Sequence, residues 1–181
     1  MAVKTFTSTT LSSSDTNTYL ANSGLVYVTS ATVGTGVSTV TVANCFNSTY
    51  DSYRIVATNV NSTGAGNSAG IQLTGLTTGY YASIVYTTWA SATVVGSTDN
   101  NTTLWNFAGS YSSDGLVLCC DIINPFLARP TILANGTYAS HLGGPVNGKQ
   151  TSSTSVTGFT VSTPLNTMTG GTITVYGYRK A

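Results

Sequence analysis

The feature that most constrains this chain is an apolar period of two that returns along most of its length. Val40 and Val42 share one side of a segment whose other side carries Thr39 and Thr41, and residues 53–58 repeat the alternation. An apolar residue at every second position is the pattern of a strand with one buried face. Apolar residues do not recur at helical spacing over any long stretch, so the chain is predicted to be all-β.

Short apolar runs alternate with turn-forming segments, at the spacing of about 8–12 residues that sandwiches show. The predicted strands cover residues 37–43, 53–58, 71–73, 81–89, 104–108, 115–123, 131–138, 156–162 and 172–178. The predicted turns and end loops, dense in Gly, Ser, Asn or Pro, are residues 61–70, 96–101, 110–115, 142–150 and 164–171. This order favours an antiparallel β-sandwich, jelly-roll-like, over a parallel sheet with crossover helices.

The start of the chain differs from the rest. Residues 1–34 are predicted to form an N-terminal arm, and residues 35–181 the jelly-roll body. Within the arm, residues 14–20 are a candidate helical turn with Asp15 as its N-cap, and residues 25–28 a short strand. Such arms often cross to a neighbouring subunit.

Charge is scarce in this sequence. Only 6% of the residues are charged, against about 25% in an average soluble domain, and Glu is absent. The formal net charge is +1 and the basic residues are scattered, which excludes the clustered Lys and Arg that nucleic-acid binding requires. Hydroxyl and amide groups supply the polar surface instead, and they suit permanent neighbours because they do not repel. An ordinary secreted β-domain with a hydroxyl-rich face is the alternative.

Targeting and membrane signals are not evident. The first residues hold one Lys followed by hydroxyl side chains, so a signal peptide is not expected. The longest apolar runs are far shorter than the roughly 18 residues of a membrane-spanning helix. Neither a membrane nor a nucleic-acid partner is predicted.

Three cysteines cannot all pair within one chain, so a disulfide framework is not predicted. Cys119 and Cys120 are neighbours in a predicted strand, where consecutive side chains point to opposite faces. The two therefore cannot readily bind one metal together. We expect them to be small buried side chains, and we expect no metal or other cofactor.

Acidic residues that could support catalysis are few. Three of the five lie in turn contexts and are predicted to be turn formers: Asp51, Asp99 and Asp114. Asp51 is also placed to pair with Arg54 at the start of a predicted strand. The two carboxylates on one face that glycoside hydrolysis usually needs are not evident.

A nucleophilic site would require His141 and Asp121 to meet Cys119 or Cys120. His141 lies in a predicted loop, which disfavours that arrangement. The chain is therefore predicted not to be an enzyme. A polysaccharide hydrolase that uses Asp121 is the distant alternative.

Four segments carry a resemblance to known proteins: residues 10–28, 49–56, 78–81 and 165–179. In this order along one chain, they resemble a family of small jelly-roll virion proteins of tailed phages, including phages of cyanobacteria. The resemblance implies a structural protein of the virion that is usually trimeric. It also implies that the protein either decorates the capsid or forms part of a fibre or tail tip.

The favoured function is a capsid-decorating or cement protein on the surface of the phage particle. It would be assembled in the bacterial cytoplasm and stabilise the head by binding neighbouring subunits of the major capsid protein. An arm of about thirty residues before the body leaves no room for a fibre shaft, which favours the head over the tail. The alternative is a receptor-binding tail-fibre or tail-tip domain that recognises a host cell-surface glycan.

Aromatic and apolar side chains are the candidate contacts for either function. The candidate interface residues are Tyr19, Leu20, Tyr27, Tyr176 and Tyr178. The last two share one face of the final predicted strand, where they would lie between copies or cover their own sheet edge. The candidate glycan contacts are Trp89, Trp105 and Tyr111, for which packing in the core or at an interface is the favoured interpretation.

Overall fold

The computed structural model describes residues 24–64, 66–88, 91–138 and 142–180. Over these residues the chain is all-β, and it contains no helix long and apolar enough to cross a membrane. The strands are β1 (Leu25–Thr32), β2 (Thr35–Val37), β3 (Thr39–Val42), β4 (Ser52–Thr58), β5 (Asn61–Ser62), β6 (Asn67–Leu73), β7 (Tyr80–Thr88), β8 (Val94–Thr102), β9 (Trp105–Ser112), β10 (Gly115–Val117), β11 (Cys119–Ile123), β12 (Thr131–Tyr138), β13 (Leu142–Gln150), β14 (Phe159–Ser162), β15 (Met168–Thr169) and β16 (Thr172–Tyr178).

Within the described residues, the strands form three antiparallel sheets. An eight-stranded sheet has the order β1-β16-β4-β11-β12-β13-β7-β8, and a five-stranded sheet has the order β10-β9-β6-β14-β3. A short three-stranded sheet, β2-β15-β5, lies beside them. The predicted fold class, an all-β antiparallel sandwich of jelly-roll type, is confirmed.

The core lies between the two large sheets and is built by alternate residues of each strand. On β4, Tyr53 and Ile55 are fully buried. Ser52, Arg54 and Val56, which point to the opposite face, are only half-buried. Val40 and Val42 of β3 are buried as their alternation predicts. Large aromatic side chains fill the centre, where the rings of Phe46 and Tyr53 have centroids 4.8 Å apart. Burial of these alternating faces is what holds the two sheets together.

All five predicted loop segments contain strand residues, and two of them lie entirely in strands. Residues 142–150 form β13, an interior strand of the eight-stranded sheet that pairs with both β12 and β7. Its glycines reflect close packing: a Cβ on Gly148 would lie 2.7 Å from the indole nitrogen of Trp105. Residues 96–101 belong to the edge strand β8, whose side chains are mostly exposed. An exposed edge strand does not need the apolar alternation from which strands were predicted.

The predicted N-terminal arm ends inside the sheet. β1 pairs with β16 from Leu25 opposite Tyr178 to Thr32 opposite Thr172, so this part of the arm forms an edge strand of the sandwich. The candidate helical turn at residues 14–20 lies outside the described residues. The division between arm and body at residue 34 stays a prediction.

Candidate functional site

The candidate site is the outer face of the eight-stranded sheet around β16, the face turned away from the sandwich core. Tyr176 and Tyr178 both point outward here, while Ile173, Val175 and Gly177 point into the core. The shared face of the two tyrosines was predicted from the strand period, and it is confirmed.

Tyr27 extends this aromatic group onto the edge strand. It lies opposite Tyr176 in the β1–β16 register, and the two rings meet edge to face with centroids 6.4 Å apart. The Tyr27 side chain is 60% exposed. Three of the five predicted interface residues therefore lie on neighbouring strands at one surface. The other two, Tyr19 and Leu20, lie outside the described residues.

An ion pair adjoins the tyrosines. Arg54 on β4 lies directly opposite Asp121 on β11, and its Nε and a terminal nitrogen each donate to a different carboxylate oxygen at 2.8 Å. The Asp121 side chain is 7% exposed and that of Arg54 is 33% exposed. Tyr178 donates its hydroxyl to the same carboxylate at 2.8 Å, and the guanidinium carbon lies 5.8 Å from its ring centre. We call Arg54, Asp121 and Tyr178 the Arg–Asp–Tyr cluster.

The predicted pairing of Asp51 with Arg54 is wrong. Asp51 instead pairs with Lys180 at 2.8 Å, in a contact where both side chains are about half exposed. Arg54 turns to Asp121 because the antiparallel register places the two side chains side by side on one face. Proximity in sequence predicted the first pair, whereas strand pairing decides the second.

The electrostatics of the Arg–Asp–Tyr cluster favour a fixed structure. Hydrogen bonds to Asp121 raise the pKa of Arg54, so its charge is permanent. Burial, with the bond to Asp121, raises the pKa of Tyr178 to about 12. Both groups keep their protons at neutral pH, so they can hold a partner surface in place but are poorly suited to proton transfer.

The two neighbouring cysteines point to opposite faces as the strand period predicts, but only one of them is buried as expected. Cys120 is buried, and its neighbour Cys119 points to the opposite, outer face and is half-buried. Burial raises the pKa of Cys45 to about 12 and also raises that of Cys120, which keeps both as unreactive thiols. His141, which would be the base of a Cys–His–Asp nucleophilic site, lies outside the described residues. Among the residues with described positions, no group of His, Cys, Asp or Glu could hold a metal ion.

Two of the three candidate glycan contacts lie in the core. Trp105 and Tyr111 are both fully buried, and Trp105 packs edge to face on Tyr80 with ring centroids 5.2 Å apart. A sugar could not stack on either ring while the sandwich stays closed. Core packing, the favoured interpretation, is therefore confirmed for these two. Trp89 lies outside the described residues.

Two acidic residues predicted to form turns have different outcomes. Asp114 does lie in the turn between β9 and β10, where its backbone N–H donates to the Ser112 hydroxyl. Asp99 instead lies within β8, buried and bound to both the backbone and side-chain nitrogens of Asn106. Burial is the larger effect on its carboxyl and raises its pKa, although the bonds to Asn106 oppose the rise.

A polar surface cavity of about 360 Å³ lies at one end of the sandwich, lined by residues 75–79, 150–152 and Asn101. The Gln150 amide holds it open by donating to the carbonyl of Thr78 at 2.8 Å and accepting from the N–H of Ser152 at 2.7 Å. We call it the polar notch. The sequence did not predict it, because its lining comes from three distant segments.

Comparison with protein-family models, with curated proteins and with solved structures finds no match to this chain. The resemblance to virion proteins of tailed phages therefore stays a prediction.

Proposed function

We propose that this chain is a non-enzymatic structural protein of a phage virion that decorates the capsid. In this proposal copies associate with one another, as the trimer that the resemblance implies, and bind the major capsid protein. The observation that carries the proposal is the tyrosine-rich outer face beside an exposed, charge-free edge strand. Tyr27, Tyr176 and Tyr178 present aromatic area there, and the Arg54–Asp121 pair holds Tyr178 in place.

The composition of this face matches what protein interfaces use. Tyr and Arg are the residues that most often carry binding energy, because they combine a large contact area with a polar end. Apolar area contributes about 25 cal/mol per Å², less the cost of immobilising the partners. Many weak copies of such a contact around a closed shell add up through multivalency. The proposed mechanism is therefore interface burial without a catalytic step.

Particle imaging tests this proposal. Electron microscopy of the particle with and without this protein would show added density on the head lattice if the chain decorates the capsid. Heating the same particles should release the genome at a lower temperature when the protein is absent. Density confined to the tail, or unchanged head stability, would contradict capsid decoration.

A matched pair of variants connects the test to the outer face. Tyr176→Ser removes a ring from the tyrosine group and should lower occupancy on the head at limiting protein by about tenfold or more. Leu165→Ser removes an apolar side chain that is 72% exposed in a turn away from that face, and its occupancy should match the unaltered protein. Equal loss in both variants would show that the outer face is not the contact.

The second candidate is a receptor-binding tail domain, and the polar notch favours it. Its hydroxyl and amide groups, together with backbone N–H and C=O groups, are of the kind that hydrogen-bond to sugars. Binding of the purified protein to an array of bacterial glycans would support this role, provided that Thr77→Val in the notch weakens it. The control is Thr58→Val, which alters another exposed threonine, on β4. Absence of glycan binding would remove this candidate.

A further inference from the structure

In the part of the chain that the structure describes, the eight-stranded sheet has two edge strands that are paired on one side only. Within the described residues, β1 pairs only with β16 and β8 only with β7. The outer side of each edge strand thus presents backbone N–H and C=O groups without a strand to pair with. Such edges pair readily with another strand, so natural sheets protect them with Lys, Pro, bulges or a covering segment.

The edge strands carry little of this protection. Neither β1 nor β8 contains Lys, Arg or Pro. The one acidic residue, Asp99 of β8, is buried and bound to Asn106, so it does not charge the edge. Each edge strand has one irregularity: β1 between Tyr27 and Thr29, and β8 between Asp99 and Thr102, whereas β8 pairs with β7 in an unbroken register from Val94 to Asp99.

Exposed apolar side chains gather at the same two edges. Val94 is 66% exposed on β8, and Tyr27 is 60% exposed on β1. Other exposed large hydrophobic residues at these edges or on the strand beside β8 are Leu25, Tyr81, Val85 and Val95. Among described residues, only Val117 and Leu165 of this class lie elsewhere. Both edges therefore combine unpaired backbone groups with apolar area.

We propose that β8 of one copy pairs with β1 of the next copy, which continues the eight-stranded sheet from subunit to subunit. The two strands have similar lengths, 9 and 8 residues. Neighbouring strands in the sheet run antiparallel and the sheet has eight of them, so β1 and β8 run in opposite directions. A copy in the same orientation therefore offers β1 antiparallel to β8, and the alternation continues across the joint.

Pairing β8 with β1 also accounts for the presence of two edge strands with an unpaired side, because one kind of joint covers both. A two-fold contact of β8 with β8 would leave both β1 strands exposed, whereas a head-to-tail ring covers every edge. β1 has no charged residue and the one acid of β8, Asp99, is buried, so like charges do not meet at the joint. The inference rests on the self-association proposed above, and it assumes nothing about where the protein lies on a particle.

Lysine substitutions at the two edges test the joint, using the full chain in solution. Val94→Lys should prevent β8 from pairing with a second copy, and Tyr27→Lys should prevent β1 from doing so. Each substitution places a charge where the partner strand would bury apolar area. Analytical ultracentrifugation should show each variant weakened in self-association by at least about tenfold. Leu165→Lys, at an exposed turn position, is the control and should assemble like the unaltered protein. Circular dichroism verifies that all three variants are folded.

Mixing the two edge variants gives the decisive measurement. Val94→Lys retains an unaltered β1, and Tyr27→Lys retains an unaltered β8. In an equimolar mixture these two strands should pair and give a one-to-one heterodimer, whereas neither variant should associate alone. A mixture that stays monomeric overturns the inference, as does an unaltered protein that is monomeric. Self-association lost in Val94→Lys but kept in Tyr27→Lys would also overturn it, because it indicates β8–β8 pairing. Head density on particles is scored separately, so failure of the joint and failure of capsid decoration remain distinguishable.

Discussion

Removing the guanidinium of the Arg–Asp–Tyr cluster should destabilise the fold measurably. Arg54→Met takes two charge-assisted bonds of 2.8 Å from Asp121, whose side chain is only 7% exposed. Breaking a buried ion pair costs about 3–5 kcal/mol, because the remaining charge stays desolvated. Arg54 is one-third exposed and Tyr178 still donates to the carboxylate, so we expect a loss of about 2–3 kcal/mol. For a chain of this size, that loss lowers Tm by roughly 4–12 °C.

Thermal and denaturant unfolding at pH 7 and one fixed protein concentration would measure this loss. Adding Asp121→Leu to Arg54→Met should recover most of the stability, because the double variant no longer buries an unpaired charge. The coupling energy from the full double-mutant cycle should be about 2 kcal/mol. Lys180→Met is the matched control: it breaks an exposed pair with Asp51 and should cost less than about 1 kcal/mol. Equal losses in Arg54→Met and Lys180→Met, or a double variant no more stable than Arg54→Met, would refute the reasoning.

The remaining predictions concern groups whose ionisation the fold controls. A thiol reagent at pH 8 should modify Cys119 far faster than Cys45 or Cys120, because these two thiols are buried and have raised pKa values. All three should react after denaturation. Peptide mapping that finds fast modification of either buried thiol in the folded protein would contradict this prediction. Stability should fall as pH rises from about 10 to about 12, because Tyr178 keeps its proton in the folded state while the unfolded chain releases it. Tyr178→Phe should reduce that alkaline loss, as measured by unfolding at each pH, and an unchanged slope would show that Tyr178 does not contribute.

The tyrosine group shows how far strand periodicity leads towards a site. Tyr176 and Tyr178 are two residues apart on a strand, so their shared face follows from the pleat alone. Their outward direction also follows, because Val175 between them must enter the core. The contact of Tyr27 with Tyr176 requires the pairing of β1 with β16, which joins segments far apart in sequence.

The Arg–Asp–Tyr cluster and the polar notch could not be predicted from the sequence, because each brings together residues that are far apart along the chain. Arg54 and Asp121 are 67 residues apart, and only the register of β4 with β11 sets them side by side. The nearer acid, Asp51, was the natural choice from sequence, but the structure places it against Lys180. In the notch, Thr78 and Gln150 meet across 72 residues.

Local pattern determined that this protein is an all-β sandwich with buried valines and aromatics and scarce charge, because side-chain alternation and composition are properties of consecutive residues. Tertiary structure alone decided which strands are neighbours, and with them the Arg54–Asp121 pair, the interior place of β13 and, among the described residues, the two edge strands. The physical reason is that pairing between distant strands depends on how faces and backbone groups fit across the whole sheet. A glycine-rich segment such as 142–150 becomes an interior strand when neighbours on both sides satisfy its backbone.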